Sequence, residues 1–95
     1  CNVDEDSVIP ACDVKEIYQI PLVFSKEGLD DRIITKLSLK ERGKDLESWK
    51  ANVVDKVLHP KDSVSIAVVG KYIQLQDAYK SIYEALKHGG IPKSI

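Results

Sequence analysis

Apolar residues recur at helical spacing in the first part of the chain. Ile17, Ile20 and Phe24 form one stripe of an amphipathic helix. Pro21 falls inside this stripe, and a proline in a helix interior removes a backbone hydrogen bond. The helix therefore either kinks at Pro21 or begins there. We favour the second alternative, which predicts a short turn followed by a helix that ends at Gly28.

Acidic residues mark the predicted helix starts. Asp13 has Glu16 three residues later, a spacing typical of a capping box. Asp30 or Asp31 is the predicted cap of a following helix. The apolar positions of that helix are Ile33, Ile34 and Leu37.

A hydrophilic stretch and a further helix follow. Residues 40–45 contain Gly43 and predict a loop. The next apolar face ends before Pro60 and consists of Leu46, Trp49, Val53 and Val57. Residues 61–63 predict a turn, and we place a domain boundary within 60–63.

The pattern changes character after Ser63. A β-branched run predicts a buried strand of parallel type, and it consists of Val64, Ile66, Val68 and Val69. Gly70 ends this run. Asp77 is the predicted cap of a helix that extends to His88 and stops at 89–90. A strand, a turn and a helix in this order predict the opening β–α unit of an α/β domain.

Composition narrows the class of protein. Charged residues make up 31% of the 95 residues, apolar residues 43%, and the net charge is −1. No basic stripe is present, which argues against a nucleic-acid partner. No apolar run approaches the roughly 18 residues that span a bilayer, so no membrane partner is expected. The chain has no methionine and opens on a cysteine, so we expect an internal stretch of a longer protein.

Neither the two cysteines nor the adjacent acids at 30–31 predict a catalytic or metal site. Cys1 and Cys12 lack metal-ligand spacing, and neither has the neighbours of a nucleophile. The pair Asp30–Asp31 is better explained by a favourable interaction with the helix dipole than by a role in metal binding or acid–base catalysis.

Gly70 and Lys71 follow the predicted strand as they would in an anion site. The remainder of the phosphate-loop pattern is absent, as is the dinucleotide fingerprint. Two alternatives remain open. One is a small phosphate-binding α/β protein centred on 70–71. The other is a free-standing, non-catalytic interaction or regulatory module that docks through the Trp49 helix.

Two long segments resemble CTP synthase. Residues 1–39 carry Cys-Asn-Val, Val-Ile, Asp-Val, Ile-Tyr-x-x-Pro-Leu and Gly-Leu-Asp-Asp, similar to the end of that family's amidoligase domain. Residues 65–90 read SIAVVGKYIQLQDAYKSIYEALKHGG, similar to the start of its glutaminase domain. Between them, the position of the stretch and its lone Trp49 match the interdomain linker.

The resemblance implies an α/β fold in fragment form. Residues 1–39 would be the mostly helical tail of the amidoligase domain, and 40–63 the linker. Residues 64–95 would be the first β–α unit of a class I glutamine amidotransferase domain. The parent would be a cytoplasmic homotetramer that aminates UTP to CTP, with glutamine as nitrogen donor.

The same resemblance implies cofactors and site residues. The parent would use ATP and Mg²⁺, with GTP as activator. Its phosphate loop, metal ligands and Cys-His-Glu triad would lie outside this chain, which we expect to be inactive alone. Cys12, Asp13 and Val14 would border the ATP adenine, although position 12 is often basic or polar in the family. Lys71 and Tyr72 would lie near the GTP and interdomain face.

Overall fold

The computed structural model describes residues 2–95 and is mostly helical over that range, with no strand. Its α-helices are α1 (Ile20–Lys26), α2 (Leu29–Lys36), α3 (Leu46–Trp49), α4 (Asp55–Leu58) and α5 (Lys80–Gly90). A π-helical turn, Lys50–Val54, joins α3 to α4. Short 3-10 turns cover Glu5–Ser7, Ile17–Gln19, Gln76–Tyr79 and Ile91–Lys93. None of the helices in the described range is long and apolar enough to cross a bilayer.

The chain divides into two compact units, Cys1–Lys50 (unit 1) and Ala51–Ile95 (unit 2). The division falls inside the π-helical turn. The predicted domain limits after residues 39 and 63 are statements about a longer protein, and they stay predictions.

The start of α1 follows the sequence pattern with one shift. Pro21 occupies the first turn of α1, where its missing N–H would have no helical partner, and the predicted turn precedes it. The predicted cap at Asp13 is wrong by three residues. Glu16 is the cap, and its backbone N–H donates to Gln19 Oε1 at 3.0 Å. The reciprocal hydrogen bonds of a capping box are therefore present, but they join Glu16 and Gln19 instead of Asp13 and Glu16.

Gly28 separates α1 from α2. Its φ of +82° is left-handed, which an L side chain rarely adopts, and it confirms the predicted end of the first helix. Gly28 also occupies the cap position of α2, so the predicted caps at Asp30 and Asp31 are wrong. Both acids lie in the first turn of α2 instead, where negative charge still meets the positive end of the helix dipole.

The core of unit 1 is small and centres on Tyr18, which is 7% exposed. The half-buried Trp49 of α3 donates its indole N–H to the Tyr18 carbonyl oxygen at 2.8 Å. Asp45 caps α3, because its Oδ1 accepts from the Ser48 backbone N–H at 3.2 Å. The predicted loop and helix over 40–60 are thus confirmed, apart from the unpredicted π register.

Ion pairs join the segment before α1 to α2. Arg32 Nη2 lies 2.7 Å from Asp6 Oδ2, and Lys36 Nζ lies 2.7 Å from Asp4 Oδ2. The acidic turn at 4–6 therefore contacts the basic face of α2. Such exposed pairs contribute little stability each, but together they define where the segment lies.

Unit 2 departs from its predicted strand. Residues 64–69 belong to no regular element of the structure, and Val64, Ile66 and Val69 are 61%, 56% and 92% exposed. A strand exists only where a neighbour accepts and donates its backbone hydrogen bonds, and unit 2 supplies no such neighbour among its described residues. The β–α unit is therefore not formed in this chain.

The helix predicted from Asp77 is confirmed, but its limits move. Asp77 lies in the 3-10 turn before α5, and α5 continues through 89–90 rather than stopping there. The helix end packs tightly, because a Cβ on Gly90 would lie 2.6 Å from the Ile95 carbonyl oxygen. The carbonyl of Ser94 accepts from the Lys61 backbone N–H at 2.8 Å, which joins the end of the chain to the turn at 61–63.

Candidate functional site

The predicted adenine-binding residues lie on an irregular stretch ahead of the 3-10 turn Ile17–Gln19. Cys12 is an exposed free thiol, Asp13 is exposed and Val14 is half-buried. All three line one hollow of about 280 Å³. The structure therefore brings the three residues together at one concave surface of unit 1.

The rest of this hollow, which we call the residue-12 hollow, is apolar. Its other lining residues are Ala11, Ile17, Ile20, Val23 and Phe24. Ligand pockets usually enclose roughly 300–1,000 Å³, so this one is near the lower limit. Its described lining includes no Lys or Arg. The geometry suits a flat, largely apolar ring held by backbone polar groups, and it offers nothing to a phosphate.

Lys71 and Tyr72 lie in a turn of unit 2. Lys71 Nζ lies 5.1 Å from the centroid of the Tyr72 ring, within the range of a cation–π contact. Tyr72 has a φ of +63° and is 66% exposed. The turn thus presents a cation and an aromatic face side by side to solvent. That pair is chemically suited to stacking against a base or approaching a phosphate.

Tyr79 supports this turn from the start of the helical segment that follows. Its hydroxyl donates a hydrogen bond to the Lys71 carbonyl oxygen. A Cβ on Gly70 would lie 2.7 Å from the same hydroxyl oxygen, so a larger residue there would push the Tyr79 ring aside. The sequence analysis missed Tyr79 as a partner. Its contact spans eight residues of irregular backbone, and no periodic pattern predicts such a pair.

The acidic pair on α2 is held by a lysine from the following loop. Lys44 Nζ lies 2.7 Å from Asp31 Oδ1 and 3.2 Å from Asp30 Oδ2. The Ser25 hydroxyl donates to Asp30 Oδ2 at 2.9 Å. Sequence reasoning named both acids but not Lys44, because the loop conformation that delivers it carries no spacing signal. The cluster is a closed set of structural ion pairs.

Charge and hydrogen bonding shift the ionisation of this cluster and of the nearby ion pair at Asp4. The hydrogen bond from Ser25, assisted by Lys44, lowers the pKa of Asp30 below its ordinary 3.8. A hydrogen bond from Lys36 lowers the pKa of Asp4 in the same way. Hydrogen bonding to Asp31, and then to Asp30, raises the pKa of Lys44 above 10.5.

We expect unit 1 to lose stability at acid pH for this reason. A carboxyl with a lowered folded pKa stabilises the fold above its unfolded pKa, here 3.8. That contribution disappears as the pH falls through the still lower folded value. When urea unfolding is followed by Trp49 emission, the urea concentration at the midpoint should decrease as the pH is lowered below 4. Asp30→Asn should make this decrease smaller. Glu41→Gln, in the exposed loop, is the matched control. An unchanged slope in Asp30→Asn would contradict the assignment.

Within residues 2–95, no group of three or more His, Cys, Asp or Glu side chains is arranged to hold a metal ion. The pairing of Asp30 and Asp31 with Lys44 is consistent with that finding. The candidate sites among the described residues are the residue-12 hollow in unit 1 and the turn at 71–72 in unit 2.

Comparison with known proteins gives a consistent family. The chain is 47% identical over 95 residues to a CTP synthase of Nitratidesulfovibrio vulgaris (strain DP4), a match that covers 100% of the chain. It is 48% identical over 96 residues to the CTP synthase of Zymomonas mobilis, and 50% identical over 91 residues to that of Syntrophus aciditrophicus. A scan against protein-family profiles finds no match.

The matched part of each relative is short. The chain spans 17% of the length of the Nitratidesulfovibrio and Syntrophus proteins and 18% of the Zymomonas protein. The aligned regions cover 96–100% of the chain, which confirms the resemblance of its two long segments. By sequence, the chain therefore belongs to the CTP synthase family and corresponds to a segment of its members.

Proposed function

We propose that this chain is part of an enzyme that uses ATP to aminate UTP to CTP, with glutamine as nitrogen donor. The observation that carries the proposal is the match along the whole chain to curated proteins named CTP synthase. The free-standing interaction module has no comparable support. In-line phosphoryl transfer needs a phosphate loop and Mg²⁺ ligands, which would come from other parts of the parent.

We propose that the chain divides into the domain segments that the resemblance implies. Residues 1–39 are the end of the amidoligase domain, 40–63 the linker and 64–95 the start of the glutaminase domain. In the parent, neighbouring strands of the glutaminase sheet would pair with 64–69 and complete the β–α unit. The exposure of the apolar residues Val64, Ile66 and Val69 supports this, because a buried strand is their usual setting.

For the ATP site, we propose that the residue-12 hollow borders the adenine ring. Its apolar wall would pack on the ring, and the backbone groups of 12–14 would meet the polar edge. Cys12 then needs no side-chain contact, so a thiol would be tolerated at a position that the resemblance gives as often basic or polar. The phosphates would lie outside the hollow, where the rest of the parent provides cations and Mg²⁺.

For the effector, we propose that Lys71 and Tyr72 contribute to the face that responds to GTP. The support is the exposed cation–π pair and its fixation by the Tyr79 hydroxyl. The parent would be a cytoplasmic homotetramer. The isolated chain would carry no turnover, because the phosphate loop, the metal ligands and the Cys-His-Glu triad would lie in other parts of the parent.

A segment exchange tests this function in cells. The matched segment of the Nitratidesulfovibrio CTP synthase is replaced by this chain, and the hybrid is expressed in a bacterium that lacks CTP synthase. We expect growth without added cytidine. The chain alone should not restore growth, and the unaltered relative is the positive control. A stable hybrid that leaves the cells dependent on cytidine would contradict the proposal.

A further inference from the structure

The loop 40–45 and the helix α3 that follows it form a strap of unit 1, which we define as residues 40–49. Residues 40–45 are all exposed. Within the part of the chain that the structure describes, no backbone hydrogen bond joins them to α1 or α2. Gly43, with a left-handed φ of +86°, turns the chain immediately before Lys44. Side chains, and not backbone pairing, therefore determine where the strap lies.

A hollow of about 440 Å³ lies between the strap and the pair of helices α1 and α2. The strap contributes residues 43–46 to its wall, and Leu46 is half-buried there. The apolar residues that α1 and α2 contribute are Pro21, Phe24, Leu29, Ile33 and Ile34. Protein interiors are normally close-packed, so a hollow of this size means that packing under the strap is incomplete. Packing alone therefore does not hold the strap in place.

Two polar contacts attach the strap to the rest of unit 1. Near its middle, Lys44 Nζ lies 2.7 Å from Asp31 Oδ1 and 3.2 Å from Asp30 Oδ2 on α2. The side chains of Lys44 and Asp30 are only 34% and 33% exposed, so salt screens them less than fully exposed charges. At the end of the strap, Trp49 donates its indole N–H to the Tyr18 carbonyl oxygen at 2.8 Å.

The first attachment is linked to the second through the start of α3. Asp45 follows Lys44 directly, and its Oδ1 accepts from the Ser48 backbone N–H at 3.2 Å to cap the helix. The helix has only four residues, too few to be stable without outside contacts. The position of Lys44 therefore sets where α3 begins, and with it where Trp49 lies.

We propose that Lys44 is a latch: its ion pairs with α2 hold the strap closed and position Trp49 to donate to the Tyr18 carbonyl. Loss of the Lys44 charge opens the strap and releases the indole. All the residues of this device belong to unit 1. In the proposed parent, whose linker begins at residue 40, the latch fastens the linker to the amidoligase domain. Only that consequence rests on the proposed function.

Two variants with the same change of charge test the latch. Lys44→Gln removes the latch, and the Trp49 indole N–H should exchange with solvent roughly two- to fivefold faster in a nuclear magnetic resonance measurement. Lys36→Gln is the matched control. It breaks another ion pair of α2, in which Lys36 Nζ lies 2.7 Å from Asp4 Oδ2, and should leave the indole exchange unchanged. Equal acceleration in both variants, or none in Lys44→Gln, would overturn the proposal.

Two further measurements keep the latch testable if Lys44→Gln does not fold. Lys44→Arg retains the charge and should keep the slow indole exchange. In the unaltered chain, about 1 M salt shortens the Debye length to roughly 3 Å and should accelerate the exchange of Trp49 relative to that of a free indole. Fast exchange in Lys44→Arg, or exchange that does not respond to salt, would contradict an electrostatic latch.

Discussion

Filling the residue-12 hollow should weaken the use of ATP by the hybrid enzyme about tenfold or more. Ala11→Phe places a ring at the exposed edge of the hollow, where an adenine would otherwise lie, without replacing a buried side chain. The KM for ATP should rise by that factor, equivalent to about 1.4 kcal/mol of binding free energy. The KM for UTP should stay unchanged, because the substitution is confined to the proposed adenine site.

Two controls separate this effect from general damage. Lys15→Phe adds the same ring at a nearby exposed position that does not line the hollow, and it should leave both KM values unchanged. Cys12→Ser should change the KM for ATP by less than about twofold, because the proposed contacts at residue 12 come from its backbone. If the KM for ATP were unchanged in Ala11→Phe, the proposal that adenine binds in this hollow would be contradicted.

Truncation of Tyr18 should largely unfold unit 1. Tyr18 is 7% exposed, the buried residue on which the core of unit 1 centres, and its backbone carbonyl accepts from Trp49 of α3. Replacement of a buried aromatic side chain by alanine costs about 3–5 kcal/mol, a large share of the stability of a small unit. In Tyr18→Ala, Trp49 emission without urea should already match that of the unfolded chain.

The conservative substitution distinguishes packing from hydrogen bonding. Tyr18→Phe keeps the ring and the backbone carbonyl that accepts from Trp49, so it should cost at most about 1.5 kcal/mol. Equal urea midpoints for Tyr18→Ala and the unaltered chain would show that unit 1 does not depend on this ring.

Local pattern predicted the helical parts of this chain well. Pro21 and Gly28 predicted the limits of α1 to within two residues, because proline and glycine act on the backbone itself. The run ending before Pro60 was recognised for the same reason, together with its apolar face. Cap positions were less accurate. Several acids near a helix start can all satisfy the same dipole, and pattern alone does not choose among them.

What the sequence could not predict depends on contacts between distant residues. Lys44 reaches α2 through an irregular loop, and Tyr79 reaches the Lys71 carbonyl across eight residues. The π turn Lys50–Val54 was not predicted either, since nothing in the sequence of residues 50–54 disfavours an α-helix. The strand predicted at 64–69 also depends on tertiary contacts, because a strand forms only when its hydrogen-bonding neighbours are present.

The candidate site divides in the same way. The resemblance named 12–14 and 71–72, and the structure gives each group a defined setting: an apolar hollow for the first and a cation–π turn for the second. The walls of the hollow come from the helical stripe at 17, 20 and 24, which the sequence analysis treated only as packing. A stripe that packs on one side can line a site where it is left uncovered.

The most direct measurement is the rate of CTP formation by the purified hybrid enzyme, in which this chain replaces the matched segment of the Nitratidesulfovibrio protein. We predict CTP formation that requires ATP, UTP and a nitrogen source together, at a rate within about tenfold of the unaltered relative. A folded hybrid with the relative's oligomeric state that binds ATP and UTP but forms no CTP would contradict the account.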